Sequence, residues 1–407
     1  TAMADDFFDH PEVGQQEFHA FETLTGWLEK EGFTVERGIA GMDTAFRAVW
    51  KHGEGGPNIG LLCEYDALAG LGHACGHNVH GSMSVLAALA LAQLKDSFSG
   101  RACGHHMQGP AILGAAKALK DAAIDAPYTI TVYGTPAEET ISGKVVMLEN
   151  GCTFEELDVA LMMHGGPATQ VDVKSLALNK LKIIYHGVCS HAALKPEKGR
   201  SALDGLILAC QGVEFLREHV PSDVRMHYTI VNCGGTAANV VPGYAEASMY
   251  VRSYNRTELD GVVARVKKVL QGAAMMTETE VEIIEEKSLD NKIPVLALNE
   301  LVMEQAEKVH APCIRPARQK TGSTDFGNVM RHVPGTCIRV AFVPEGAAAH
   351  SQEYLDAGKT EAAHNAVVYG AKILALTGAQ LIENPEKLEA IKKEFHENLA
   401  KELNGQS

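Results

Sequence analysis

The spacing of apolar residues predicts alternating helices and strands over the first 170 residues of the chain. Phe21, Leu24 and Leu28 recur at helical spacing before Gly32, which predicts a helix over residues 18–32. Shorter apolar runs follow, predicting strands at 44–50, 58–63, 128–133 and 159–163 and helices at 82–95, 110–123 and 143–149. This alternation predicts an α/β fold, a sheet with helices on its faces and ligands at the strand ends.

The pattern changes after residue 170. Strands are predicted at 175–187, 226–233, 245–252 and 278–285, and helices at 202–219 and 257–273. This order is typical of a small open-faced α+β sandwich of the ferredoxin-like kind, inserted into the first domain. Long helices and strands return at 295–310, 336–342 and 359–377, and a charged amphipathic helix over 385–403 is predicted to pack on the surface. The predicted domains are therefore 1–174 with 289–407, and 175–288.

Length, charge and cysteine content narrow the class of protein. A chain of 407 residues is too long for one compact core. Its formal charge of −15 argues against nucleic acid or an anionic membrane as the main partner. The hydropathy pattern predicts no membrane span (the longest apolar run covers residues 85–94) and no secretory signal. The nine cysteines are scattered, without the density of a disulfide scaffold, so we expect a cytoplasmic protein.

One segment of the chain is duplicated. His73-Ala-Cys-Gly-His-Asn-Val-His-Gly81 and Arg101-Ala-Cys-Gly-His-His-Met-Gln-Gly109 align at an offset of 28 residues, and each leads into an Ala-rich helical run. A Cys-Gly-His sequence at the start of a helix offers a thiolate and an imidazole to a divalent metal. Taken alone, the tripeptide is more often a helix cap or a core element.

Three further groups of polar residues fall where strands are predicted to end. Glu138 and Glu139 follow the strand at 128–133, His164 ends an apolar run, and His350 lies among small residues. Each has an ordinary interpretation, as a solvated loop carboxylate or a core histidine. Together these residues offer metal ligands. One of the two adjacent carboxylates could bind metal while its neighbour transfers a proton.

The order of short motifs resembles one family of metallopeptidases. The motifs are Glu64-Tyr-Asp-Ala-Leu68, Ala-Cys-Gly-His, Pro136-Ala-Glu-Glu139, Met163-His164, Ser190-His-Ala-Ala193, Asn239-Val-Val-Pro242, Gly322-Ser-Thr-Asp325 and His350-Ser351, with His10-Pro-Glu-Val-Gly14 near the start. Across nearly the whole chain they resemble the amidohydrolase subfamily of peptidase family M20, and most of all its branch of aminobenzoyl-glutamate hydrolases, dipeptidases and aminoacylase-like enzymes. The resemblance implies a metal-dependent exopeptidase-type α/β/α catalytic domain with an inserted lid and dimerisation domain.

The resemblance also implies roles for individual residues. Two divalent ions, zinc or manganese in preference to cobalt, would be held by Glu139, His164, His350 and one Cys-Gly-His. Glu138 would be the general base, and Asp66 would orient a metal-binding histidine. Four residues of the inserted domain would stabilise the oxyanion or bind the substrate carboxylate: His191, His227, Asn239 and Arg252.

The duplication leaves two candidates for the first pair of ligands. The second copy leads through one helix and one strand to Glu138, and such a register is rigid, whereas a preceding loop tolerates insertion at small entropic cost. We therefore favour Cys103 and His105. The alternative pair is Cys75 and His77.

The predicted function is hydrolysis of an amide bond in a small molecule or short peptide that carries a carboxylate: an N-acyl amino acid, a dipeptide or an aminobenzoyl-glutamate-like conjugate. The enzyme is expected to form a homodimer through the inserted domain. The alternative is a non-catalytic binding or scaffold protein on a decayed metallopeptidase fold.

Overall fold

The computed structural model describes residues 1–67, 105–122, 124–349 and 351–404. Within this part the helices are α1 (Ala2–Asp9), α2 (Phe18–Lys30), α3 (His105–Asp121), α4 (Glu138–Ile141), α5 (Gly143–Glu149), α6 (Ala202–Leu216), α7 (Arg256–Thr277), α8 (Leu296–Lys308), α9 (Phe326–Val329), α10 (Gln352–Ala357), α11 (Glu361–Glu383) and α12 (Pro385–Leu403).

The strands follow the same chain order. They are β1 (Thr34–Arg37), β2 (Phe46–His52), β3 (Asn58–Cys63), β4 (Tyr128–Gly134), β5 (Val159–Gly166), β6 (Gln170–Ser175), β7 (Ala177–His186), β8 (Ser190–His191), β9 (Arg225–Asn232), β10 (Val240–Val241), β11 (Tyr244–Ser253), β12 (Glu280–Leu289), β13 (Arg318–Thr321) and β14 (Gly335–Ala341).

The fold confirms the predicted α/β class and corrects several elements. The strand predicted over 175–187 is β7, and the preceding strand β6, which belongs to a different sheet, was not predicted. The helix predicted over 110–123 already includes His105, so His105 lies on a helix and not in the loop before it. The apolar pattern also missed α1, α4, α9, α10, β1, β8, β10 and β13. The helix predicted at 82–95 lies outside the described residues.

Two compact units are visible among the described residues, each with its own sheet. The first contains residues 1–67, 105–175 and 292–401. Its sheet has eight strands in the order β1-β2-β4-β3-β5-β14-β6-β13. Strands β4, β3, β5 and β14 are parallel neighbours, so their carboxyl ends meet at one edge, where open α/β sheets bind ligands.

Both faces of this sheet are covered by helices. Successive residues of a strand point to opposite faces, and Leu61 of β3 packs in one apolar cluster while Leu62 packs in another. Helices α2, α3, α11 and α12 contribute to the first cluster, and α5 and α9 to the second. Phe395 of α12 is 1% exposed, so the predicted amphipathic helix packs its apolar face on the first cluster and leaves the other face exposed.

The second unit holds residues 176–291 and the end of α12. Its sheet is antiparallel, in the order β12-β7-β11-β9, and helices α6 and α7 pack on one face. Along β11, buried and half-buried residues alternate without exception, as expected for a sheet with one face toward a core. Strands β9 and β12 are the edges of this sheet.

One described helix is long and apolar enough to cross a membrane by length and composition. This is α11, although the hydropathy pattern predicted no such segment. About 56% of its most apolar window is buried inside the structure, and Ala366, Ile373 and Leu381 are fully buried. Packing in the core of the first unit therefore explains its composition.

Candidate active site

The candidate site lies at the carboxyl ends of the parallel strands. Glu64 follows β3 directly, Glu138 and Glu139 begin α4 just after β4, and His164 lies near the end of β5. The hydroxyl and backbone N–H of Thr135 both donate to the carbonyl of Cys63, at 3.0 and 2.8 Å. These bonds hold the segment after β4 against the end of β3.

The first residue of α3 lies close to these acidic residues. Ligand atoms of His105, Glu138 and Glu139 all lie within 4.8 Å of one another. The imidazole of His105 is 5.4 Å from that of His164, centroid to centroid. Asp66 contacts both His105 and Glu139. Its Oδ1 lies 3.2 Å from Nδ1 of His105, and its Oδ2 accepts the N–H of Glu139 at 2.9 Å.

The position of Glu138 depends on an uncommon backbone conformation. Ala137, just before it, has φ 59° and ψ 36°, which a residue with a Cβ rarely adopts. Its N–H donates to Oε1 of Glu17 at 2.8 Å, 120 residues away in sequence. A Cβ on Gly14 would lie 3.0 Å from Ala137 and 2.2 Å from Oγ1 of Thr140, so only glycine fits there. The segment that contains Gly14 and Glu17 thus supports the turn before Glu138.

Burial and neighbouring carboxylates set the charge state of Glu138. Desolvation and then the charges of Glu139 and Asp325 raise the pKa of Glu138 well above its usual range. A carboxyl group with a raised pKa holds a proton more tightly than an ordinary glutamate, which is a property of general acids and bases.

A buried lysine lies beside these carboxylates. The ammonium of Lys144 bonds Glu64 and lies 2.8 Å from Oδ1 of Asp325, and all three side chains are at most 3% exposed. Burial alone lowers the pKa of Lys144, but Asp325 and Glu64 more than offset this and raise it, so the ammonium stays charged. Burial alone raises the pKa of Glu64, and Lys144 and His105 bring it well below its usual range.

His164 is held as a neutral imidazole with one nitrogen engaged. Its Nδ1–H donates to the carbonyl of Gly165 at 2.7 Å, which leaves Nε2 with a free lone pair. Burial, then the charges of Arg339 and His105, lower the pKa of His164 to about 3. A neutral imidazole with its second nitrogen in a backbone hydrogen bond is the usual form of a metal ligand.

The comparisons with known proteins agree with this geometry. The family model of "Peptidase family M20/M25/M40" matches residues 98–376. The chain belongs to this family. The match begins at residue 98, so it contains the second Cys-Gly-His copy and not the first.

Relatives of this M20/M25/M40 member are named hydrolases. The chain is 33% identical to the Xaa-Arg dipeptidase of Mus musculus, covering 98% of this chain and 90% of the relative. It is 30% identical to a p-aminobenzoyl-glutamate hydrolase chain of Escherichia coli K12, covering 98% and 92%. The chain is therefore a hydrolytic enzyme that cuts amide bonds, and the alternative of a non-catalytic binding protein receives no support.

Solved structures share the fold. A dinuclear metal-binding M20 peptidase of Bacillus subtilis superimposes with a TM-score of 0.68 at 20% identity, covering 94% of this chain and 97% of that one. The aminobenzoyl-glutamate utilization protein of Klebsiella pneumoniae gives a TM-score of 0.64 at 21% identity, with 94% of each chain covered.

The donor groups of the site suit the metal that an M20/M25/M40 enzyme binds. Imidazole and carboxylate oxygens converge within coordination range at His105, Glu138 and Glu139, and His164 has a free Nε2. Carboxylates also crowd together, since buried Glu64 and Asp325 and half-buried Glu138 have oxygens within 4.8 Å of one another. A divalent cation relieves this repulsion, so the residues present fit such an ion.

Not every predicted residue can be placed beside this cluster. Glu138, Glu139, Asp66, His105 and His164 come together as described above. Cys103, the alternative pair Cys75 and His77, and His350 lie outside the described residues.

Four predicted residues belong to the second unit. His191 lies on β8 and is exposed, and Asn239 precedes β10 and is exposed. His227 lies on β9, and the guanidinium of Arg252 stacks on Tyr250 at 5.4 Å from the ring centroid. Their roles in binding substrate stay predictions.

Several residues of the site were missed or misjudged in the sequence. A lysine and a distant glutamate carry no local signal of burial, and Lys144 and Glu17 were missed for this reason. Asp325 directly precedes α9, but its carboxylate makes no helix-capping bond and instead accepts from Lys144. His105 and His106 are 2% and 3% exposed, and their rings contact the carbonyl groups of Asp66 and Gly358.

Proposed function

We propose that this chain hydrolyses the amide bond of a small substrate that carries a free carboxylate, such as an N-acyl amino acid, a dipeptide or an aminobenzoyl-glutamate-like conjugate. The observation that carries the proposal is a half-buried Glu138 of raised pKa within 4.8 Å of the ligand atoms of His105 and Glu139. A general base beside a group of metal ligands is the arrangement that metal-assisted hydrolysis requires.

Each residue has a proposed role. Glu138 takes a proton from the attacking water and passes it to the leaving nitrogen. His105, Glu139 and His164, with Cys103 and His350, hold two divalent ions, zinc or manganese in preference to cobalt. When bound, these ions polarise the amide carbonyl and lower the pKa of the attacking water.

Asp66 is proposed to position these groups. Its carboxylate contacts Nδ1 of His105 and accepts the N–H of Glu139, so one side chain sets the orientation of two ligands. The substrate carboxylate and the developing oxyanion would be bound by His191, His227, Asn239 and Arg252 of the inserted domain.

The test of this proposal is Glu138→Gln in metal-reconstituted enzyme. We expect turnover of N-acyl amino acids, dipeptides and aminobenzoyl-glutamate to be abolished while bound metal, measured by mass spectrometry, stays near the wild-type amount. Glu149→Gln, at the exposed end of the neighbouring helix α5, is the matched control and is expected to keep wild-type activity. Retained activity in Glu138→Gln would refute the assignment of the base.

The proposal includes assembly and compartment. A homodimer through the second unit is supported by its edge strand β9, which pairs on one side only and exposes Ile230. Light scattering on the intact chain tests it, and a monomeric mass at micromolar concentration would contradict it. A reducing cytoplasm is supported by the seven cysteines of the described part, which are all free.

A further inference from the structure

A concave pocket of about 310 Å³ extends from His164 along the sheet of the first unit. Four of its lining residues lie on neighbouring strands and share one face of the sheet. His164 of β5 is the register partner of Arg339 of β14, which in turn faces Gln170 of β6. Asp172, two residues further along β6, is the partner of Arg318 of β13. The row therefore leads sideways from a proposed metal ligand to two arginines.

One buried carboxylate holds both guanidinium groups. Nε of Arg318 lies 2.8 Å from Oδ1 of Asp172, and Nε of Arg339 lies 3.0 Å from Oδ2. The side chain of Asp172 is 2% exposed, whereas that of Arg318 is 37% exposed. Two guanidinium groups share this single carboxylate, and Lys292 lies 3.8 Å from it as well, so the cluster carries more positive than negative charge.

The terminal donors of Arg318 are available to a ligand, whereas Nη1 of Arg339 already lies 3.3 Å from Nδ1 of His164 and 3.4 Å from the carbonyl of Gly165. Both arginines use Nε to bond Asp172, and the terminal nitrogens of Arg318 make no hydrogen bond within the described part of the chain. A guanidinium fixed through Nε presents its two terminal N–H groups as a planar fork that fits a carboxylate. Ser323, which also lines the pocket, has a buried Oγ without a partner among the described residues. A buried hydroxyl without a partner, in the same pocket as an arginine whose terminal nitrogens make no bond, is consistent with binding of a polar ligand.

The spacing fits an acidic amino acid beside the scissile bond. Adjacent strands are about 4.8 Å apart, so the backbone of Arg339 lies one strand away from that of His164. The backbone of Arg318 lies three strands away from that of His164, about 14 Å, and its long side chain can shorten this distance. We propose that Arg318 and Arg339 form an anion subsite that selects substrates whose leaving residue carries a second, side-chain carboxylate. This inference rests on the proposed function and names its substrate class as acidic. The same positive charges disfavour a substrate with a basic side chain.

The test compares three dipeptides that differ in the side chain of the leaving residue. We expect kcat/KM of the metal-loaded enzyme to be about 10- to 100-fold higher for Ala-Glu than for neutral Ala-Gln, as for one charge-assisted pair, and lower still for Ala-Arg. In Arg318→Gln the ratio of Ala-Glu to Ala-Gln should fall about tenfold, mostly through KM.

Arg315→Gln is the matched control. It removes an arginine three residues away, whose guanidinium pairs with exposed Glu345 at 2.7 and 2.9 Å and does not line the pocket. The preference for Ala-Glu should be the same in this variant as in the wild type. Equal kcat/KM for Ala-Glu and Ala-Gln in the wild type, or an unchanged ratio in Arg318→Gln, would overturn the anion subsite.

A binding experiment separates this inference from the proposed function. Calorimetry on the metal-loaded Glu138→Gln variant measures the affinity for Ala-Glu and Ala-Gln without turnover. The wild-type enzyme could cut none of the dipeptides while Glu138→Gln binds Ala-Glu at least tenfold more tightly than Ala-Gln. In that case the proposed hydrolysis fails and the anion subsite stands. Equal affinities for the two dipeptides would overturn the subsite even where hydrolysis is observed.

Discussion

Replacing Lys144 by methionine removes the ammonium that bonds both Glu64 and Asp325 below the candidate site. The side chain of Lys144 is fully buried, and those of its partners are 3% and 0% exposed. Breaking a buried ion pair by deleting one partner costs about 3–5 kcal/mol, because the remaining charge has neither water nor a counter-ion. Methionine fills a similar volume, so loss of packing adds little. We expect Lys144→Met to lower the free energy of unfolding of the first unit by about 3–5 kcal/mol.

The assay is urea unfolding followed by tryptophan fluorescence. The two tryptophans of the chain, Trp27 on α2 and Trp50 on β2, both lie in the first unit, so the signal reports on that unit. A chelator in every sample removes the effect of metal binding on the unfolding midpoint.

Two further variants make the result specific. Lys117→Met removes a lysine that contacts Glu31 and Asp121 at 2.9 and 3.0 Å but is exposed, and its midpoint should stay close to that of the wild type. Adding Asp325→Asn to Lys144→Met should recover part of the lost stability, since one uncompensated charge is then removed. A loss below about 1 kcal/mol in Lys144→Met, or no recovery in the double variant, would refute the reasoning.

Three other predictions concern Glu17, α12 and the duplicated segment. Burial and the charge of Asp66 raise the pKa of Glu17 from 4.5 to about 7, so its carboxyl binds a proton more tightly in the folded chain. The free energy of unfolding should then fall by about 3 kcal/mol between pH 4.5 and 7, and Glu17→Gln should flatten this slope in urea titrations at several pH values. Phe395→Ala should destabilise the first unit by about 3–5 kcal/mol by the same fluorescence assay. Cys103→Ser should lower metal content and turnover together, whereas Cys75→Ser should change neither.

Each of these has an outcome that contradicts it. A stability that rises over the same pH range, or that keeps its slope in Glu17→Gln, would show that Glu17 is ionised in the folded state. A near-neutral Phe395→Ala would mean that α12 can leave the core without cost. Loss of metal in Cys75→Ser alone would move the first pair of ligands to the first copy.

The residues that follow buried strands were the predictable part of the site. Residues 58–63 and 159–163 form continuous apolar runs, and the polar residues after such runs lie at a sheet edge whatever the details of the helices. Glu138 and His164 could therefore be placed near each other from sequence, together with the α/β class.

Other features depend on contacts that no local pattern encodes. The helix was predicted to begin at Pro110, but buried His105 and His106 also lie on it. Strand β6 was missed because Asp172 and Lys174 interrupt its apolar residues, and only the packing of two separate cores shows that the chain changes sheets at Leu176. Lys144 was missed because a lysine is almost never fully buried unless its partners are present, and Asp325 lies 181 residues away.

The support that Gly14 and Glu17 give to the turn before Glu138 has a consequence for how the enzyme matures during synthesis. Glu17 precedes the backbone that it holds by 120 residues, and Asp325 follows Lys144 by another 181. Closing such long loops costs conformational entropy before the contacts between their ends can stabilise the fold. The site is therefore expected to assemble late in folding. A nascent chain stalled before Asp325 would carry the proposed general base and most of the proposed ligands, but Lys144 would have only Glu64 as its partner, so the site would be incomplete.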